Sequence, residues 1–206
     1  YQNKAYVQRY LHLVERVRTL EIDRVPGRTE FTEAVASYYF KLLAYKDEYE
    51  VARLYTNGDF MKKIKGRFEG DYKLKLHLAP PLFSRRNAHT GEPVKTAYGP
   101  WILSAMNLLA RFKFLRGTAL DPFGKTAERK MERRLIREYE QTIEELLPAL
   151  SKKNHALAVE IARIPEQIRG YDLVKQKHVE TAKSQENELL KEFRSVVGNS
   201  TALKSA

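Results

Sequence analysis

Tyr6, Tyr10, Leu13, Val14, Val17 and Leu20 recur at helical spacing with Arg9, Glu15, Arg16 and Arg18 between them, which predicts an amphipathic helix. Val25-Pro26-Gly27 stops it, so residues 1–27 read as a helical N-terminal arm. Thr29, with Glu30 and Glu33 in the next turn, has the chemistry of a second start. The helix it opens passes through Ala34, Tyr38, Leu42 and Tyr45, continues or kinks into Val51, Leu54 and Tyr55, and ends at Asn57-Gly58. From Tyr72 the period changes to two, with Leu74, Leu76 and Leu78 on one side and Lys73, Lys75 and His77 on the other. That is a strand, ended by Pro80-Pro81; after a loop holding Thr90-Gly91-Glu92-Pro93, Val94 to Tyr98 returns as its antiparallel partner, a hairpin region over 70–99.

Pro100 suits the first turn of a helix over Trp101 to Leu115, whose buried stripe is Ile102, Met106, Leu109 and Ala110 and which Gly117 closes. Thr126 caps the most regular helix, with Ala127, Met131, Leu135, Tyr139, Ile143 and Leu147 at fourfold spacing. Its other face carries Lys130, Arg133, Arg134 and Arg137, with Glu128 and Glu132 to the side. Pro148 and Ser151 mark a turn before a shorter helix from Asn154 to Ile164. A Pro165-led turn through Gly170 and a polar helix from Leu173 to Phe193 complete the chain. The fold class is therefore mainly α, a helical domain of about six to eight helices with one small β-hairpin. The usual domain size favours a single domain over 1–197, with 198–206 fraying.

Composition narrows the chemistry. An apolar share of 43%, including 12 Tyr and 9 Phe, suffices for a core. The absence of Cys excludes disulfides, thiolate nucleophiles, Cys zinc sites and a cluster held in the usual way by this chain. Trp101 to Leu109 is the longest apolar stretch, interrupted by Ser104 and Asn107 and far short of the ~20 residues a membrane span requires. A cytoplasmic location and no membrane partner are expected. Tyr1 stands inside a helical pattern without an initiating Met, basic leader or cleavage site, which predicts a piece of a longer protein.

The formal charge is +11, and Lys62 to Lys95 contributes nine basic residues against three acidic. Lys62, Lys63, Lys65, Arg67, Lys73, Lys75, Arg85, Arg86 and Lys95 surround the hairpin. They either meet phosphates or an acidic protein surface, or form a solvated face whose Lys residues blunt an edge strand. The candidate docking residues are Lys73, Lys75, Arg85, Arg86, Lys95 and Arg116, the last near a helix C-terminus where a cation is favoured. The stripe on Lys130, Arg133, Arg134 and Arg137 reads as solvated, and Asp121-Pro122-Phe123-Gly124 as a structural turn plugged by Phe123. Gly-x-Gly-x-x-Gly, Walker, Gly-x-Ser-x-Gly and His-Glu-x-x-His motifs are absent. His12, His77, His89, His155 and His178 lack ligand spacing and read as surface or edge residues, so no metal site and no catalytic residue is expected.

Five runs taken together, YKDEYEVARLYT (Tyr45 to Thr56), GDYKLKLHLAPP (Gly70 to Pro81), YGPW (Tyr98 to Trp101), LRGTALDPFGKTAERKMERRLI (Leu115 to Ile136) and PEQIRGY (Pro165 to Tyr171), resemble the C-terminal domain of bacterial indolepyruvate ferredoxin oxidoreductase. The likeness covers nearly the whole chain. Leu76 and Leu120 stand where that family has Phe, and Asp172 where Gly is common. The resemblance implies a parent enzyme, a homo-oligomer, that decarboxylates aryl 2-oxoacids on thiamine diphosphate with Mg. Two electrons pass through [4Fe-4S] clusters to ferredoxin, and the acyl group passes to coenzyme A. Gly70-Asp71 is followed by Tyr72 rather than completing a Gly-Asp-Gly thiamine motif, and the chain has no Cys, so those groups fall to other domains. The implied role is structural, or docking of ferredoxin or coenzyme A. The alternative is a basic helical nucleic-acid-binding module in which Tyr or Phe beside Lys and Arg stack bases.

Overall fold

The structure, a computed structural model, describes residues 2–80, 84–85, 87–88, 91 and 93–202. Among them are eight α-helices and one two-stranded antiparallel sheet, the mainly α architecture with a single hairpin that the periodicities predict. The chain forms two compact units, one from residues 1–45 with 132–206 and one from 46–131.

The first unit is helical throughout. Asn3 accepts from the Tyr6 amide at 2.9 Å and caps α1 (Lys4–Arg24). α2 (Glu30–Leu43) packs on α1 and on α7 (His155–Arg163), and α7 also meets α8 (Asp172–Ala202). Residues 132–146 of α6 (Ala127–Leu146) supply Leu135, Ile136, Tyr139, Ile143 and Leu146 to the core. Tyr39 stacks between Tyr10 and Tyr139, with ring centroids 5.9 and 6.0 Å away. Its hydroxyl donates to Glu140, which Arg9 grips with two bonds of 2.6 and 2.7 Å. Burial, and then the Glu140 carboxylate, push the Tyr39 phenol well above its ordinary pKa.

The second unit holds α3 (Glu48–Thr56), α4 (Asp59–Lys65), β1 (Leu76–Leu78), β2 (Thr96–Tyr98), α5 (Trp101–Arg111) and the first turn of α6. Leu76 pairs with Tyr98, His77 with Ala97 and Leu78 with Thr96. α3 lies along α5, and Ala52, Leu76 and Met106 form the buried centre, flanked by partly buried Tyr55, Phe60, Ile102 and Leu109. This core is thin. Among the described residues, four of the buried hydrophobics belong to this unit and 25 to the other.

Several elements differ from their sequence reading. Where the helix was expected to continue or kink from Tyr45 into Val51 it breaks, because Asp47 turns out of helix and its carboxylate accepts from the Glu50 amide at 2.8 Å to start α3 afresh. α4 occupies a stretch read only as charge; Gly58 at φ 89° makes the left-handed turn that precedes it. The hairpin strands are three residues each, shorter than 72–78 and 94–98. α5 stops at Arg111, and Phe112–Leu115 tightens into a 3-10 turn. α8 runs through Gly198 to Ala202, where fraying was expected; residues 203–206 lie outside the described residues. No described helix is long and apolar enough to cross a membrane.

Candidate docking surface

The surface of residues 46–131 is carried on a buried ionic joint. Arg116, the residue after the 3-10 turn, places Nε and Nη2 on the Asp47 carboxylate, the latter at 2.6 Å, and both side chains are buried. Tyr49 donates to Asp121 at 3.2 Å, and Asp121 also accepts from the Gly117 and Phe123 amides at 2.9 and 3.1 Å. Burial and Asp121 raise the Tyr49 phenol well above its usual pKa. Phe123 meets Tyr49 edge to face at 5.5 Å, the plug that its turn predicts. One turn into α6, Arg129 reaches Glu48 at 3.2 Å. Two of the runs quoted above, Tyr45 to Thr56 and Leu115 to Ile136, thus grip each other through side chains. Gly124 belongs to the same joint, since a Cβ there would stand 2.7 Å from Asp121 Oδ2. Gly124→Ala is therefore expected to cost about 1–3 kcal/mol, because the three bonds that hold Asp121 oppose its retreat. A urea midpoint equal to the parent chain's would refute this.

On that support the hairpin presents its cations. Leu76 is buried and Leu74 and Leu78 half-buried, while Lys73, Lys75 and His77 are exposed, as strand alternation requires. Arg85 and Lys95 are exposed as well. Among the described residues, none of Lys73, Lys75, Arg85 and Lys95 forms an ion pair or hydrogen bond with another side chain. Lys62, Lys63, Lys65 and Arg67, on and after α4, are exposed too. Arg86 lies outside the described residues. Arg116 is not part of this surface: the expectation of an exposed cation at a helix end fails because Asp47 takes it into the interior. Residues 46–131 hold 17 basic and nine acidic residues, against 20 and 17 in the rest, so most of the net charge belongs to this unit.

A model of a family of unknown function, DUF6537, matches residues 1–188. The chain belongs to that family. No curated protein and no solved structure matches it. The match spans the whole unit that carries the basic hairpin and most of the helical one.

Two other places in the DUF6537 chain were candidates. Among the described residues, Glu21, Glu30 and His155 bring ligand atoms within 4.8 Å of one another. His155 is buried, contrary to its reading as a surface residue. Yet Glu21 already accepts from the Phe31 and Thr32 amides at 2.9 and 2.8 Å, from the Thr32 hydroxyl, and from His155 Nε2 at 2.6 Å. Amides at the start of α2 aim positive charge at this spot, which suits a carboxylate and opposes a cation. The arrangement is a helix cap built from a distant residue. An open groove in the helical unit is lined by Glu160, Arg163, Glu166, Gln167, Arg169 and Gln185, but its charges are mixed and Glu166 is engaged by the Tyr38 hydroxyl at 2.7 Å. A smaller cleft lined by Leu42, Leu135, Tyr139, Ile164 and Ile168 also belongs to the helical unit. The ionic joint, Glu21 and the His155 contact escaped sequence reasoning; only the Asp47-x-x-Glu50 cap was available as a local signal.

Proposed function

We propose that this DUF6537 chain is a non-catalytic docking domain of an indolepyruvate-type 2-oxoacid:ferredoxin oxidoreductase. The parent converts an aryl 2-oxoacid and coenzyme A into acyl-CoA and carbon dioxide, releasing two electrons to ferredoxin. The chain's own residues do not fit the groups this requires. It has no thiolate for a cluster, and Gly70-Asp71-Tyr72 does not supply a thiamine loop, so its part is to present surface. The order of the five family-like runs supports the assignment of parent. The observation that carries the docking role is the set Lys73, Lys75 and Lys95, which flanks the paired strands, is exposed and has no ion pair among the described residues. Cations gathered beside the hairpin steer an acidic partner and speed its encounter. A small ligand such as coenzyme A is the weaker fit, because small molecules favour concave sites and these cations stand on an exposed face.

The intact enzyme carrying Lys73→Glu and Lys75→Glu is expected to show a KM for ferredoxin raised about fivefold at low ionic strength, a difference that closes as salt approaches ~0.5 M. Turnover with a viologen acceptor should be unchanged. An unaltered ferredoxin KM at low salt refutes docking at the hairpin, whereas an intact parent without 2-oxoacid-dependent viologen reduction refutes the enzyme assignment. The nucleic-acid reading draws on one observation: Phe68 and Tyr72, both exposed and 6.1 Å apart, sit among these cations. It predicts salt-sensitive retention of the chain on single-stranded DNA that Phe68→Ala weakens.

A further inference from the structure

α5 is apolar on two sides. Ile102, Met106, Leu109 and Ala110 turn toward α3 and fill the thin core. Trp101 and Leu108, seven residues apart and so nearly on one line along the helix, face outward with 62% and 57% of their surface exposed. Phe112 continues the line, and Phe114, at 69%, stands beside it in the 3-10 turn. Trp101 meets Tyr98 edge to face at 5.9 Å, and Phe112 and Phe114 are 5.9 Å apart. Large aromatic side chains gathered in this way are the kind that anchor an interface.

The charge around the ridge is of one sign. From Pro93 to Leu120 the sequence has no Asp or Glu, while Lys95, Arg111 and Lys113 are exposed and have no ion pair among the described residues. We propose that the outward face of α5 and the turn after it seat another domain of the longer polypeptide, through an apolar patch on that domain rimmed by Asp and Glu. This rests on the reading of the chain as one domain of a larger enzyme. Two of the runs that resemble that enzyme bracket the ridge, Tyr98 to Trp101 before it and Leu115 onward after it. A second copy of the chain is the poorer occupant, because it would set Arg111 and Lys113 against the same cations. A bilayer is poorer too. It would bury Ser104 and Asn107, exposed between the apolar positions, with no fixed partner, whereas a protein face supplies one.

Trp101 is the only tryptophan of the chain, which makes the ridge easy to follow. Hydroxyl-radical footprinting of the intact parent, resolved by peptide mass spectrometry, should find Trp101, Phe112 and Phe114 oxidised at least tenfold more slowly than in the urea-unfolded parent. Arg111→Glu with Lys113→Glu should speed that oxidation severalfold, and Arg111→Lys with Lys113→Arg should leave it slow. Oxidation of the three rings within twofold of the unfolded rate overturns the proposal. So does protection that survives the two charge reversals, that rises with protein concentration as a second copy would cause, or that appears only with vesicles of equal phosphatidylglycerol and phosphatidylcholine. The readout does not depend on turnover, so a parent that fails to reduce viologen would refute the enzyme assignment while leaving the footprint to be judged alone.

Discussion

Glu21→Ala is expected to destabilise the helical unit by about 3–5 kcal/mol, a large fraction of the ~5–15 kcal/mol that holds a typical domain folded. The side chain is completely buried, and its carboxylate meets two amides, a hydroxyl and an imidazole. Thr29, the residue at the α2 cap position, accepts from no helix amide, its hydroxyl donating instead to the Glu33 carboxylate at 2.8 Å, so the first amides of α2 depend on a carboxylate delivered from near the end of α1. The same carboxylate lies 2.6 Å from His155 Nε2, which ties the start of α7 to the group that caps α2. Alanine would leave two amides, a hydroxyl and an imidazole facing a void, and the unmet desolvation of those donors is the dominant cost. Glu21→Gln keeps the shape but turns an NH2 group toward donors, and should cost about half as much. His155→Ala leaves Glu21 its three α2 donors and should cost less than Glu21→Ala. Urea unfolding followed by far-ultraviolet circular dichroism, with amide exchange at Phe31 and Thr32, gives the order. A loss under 1 kcal/mol for Glu21→Ala, or unchanged protection at Phe31, is incompatible with the cap.

What was legible in the sequence is what a few neighbouring residues decide. The alternation Lys75, Leu76, His77 announced which face of the hairpin is wet, and it also marked Lys73 and Lys75 as accessible cations. Gly117, at φ 75°, closes the α5 turn where a non-glycine residue would be strained. The fourfold stripe on α6 held from Leu135 onward: Leu135, Tyr139, Ile143 and Leu147 are buried, while Met131 is half-buried and Ala127, at the start, is exposed. Glu132, read as lying to the side, is buried on Lys175 at 2.5 Å.

The missing parts share one property. Glu21 finds His155 134 residues away, and Arg116 finds Asp47 across 69. No local period encodes such a choice, because the partner is set by how helices stack rather than by what adjoins the residue. For the same reason periodicity located the inward stripe of α5 and was silent on Trp101 and Leu108: a pattern identifies the side that the chain itself covers. The two units divide the labour accordingly. The helical unit holds most of the buried apolar residues, and the hairpin unit, with few of them, carries most of the net charge.

That division makes the ionic joint decisive for the hairpin unit, whose thin core leaves less to fall back on. Arg116→Met removes the guanidinium and strands the Asp47 carboxylate in the interior with the Glu50 amide as its remaining bond in the joint; about 3–5 kcal/mol should be lost. Asp47→Asn should cost less, about 1–3 kcal/mol, since the side chain still caps α3 while the guanidinium loses its counter-charge. Combining Arg116→Met with Asp47→Asn removes both charges together, so the double variant should be less destabilised than the sum of the two by about 1–3 kcal/mol. Because the pair is buried, its contribution should hardly change between ~0.05 and ~0.5 M salt, in contrast to the hairpin lysines. Trp101 lies in this unit and its fluorescence in urea reports the transition directly. Additive losses, or a coupling that fades with salt, would mean that Asp47 and Arg116 are adjacent without holding the unit together.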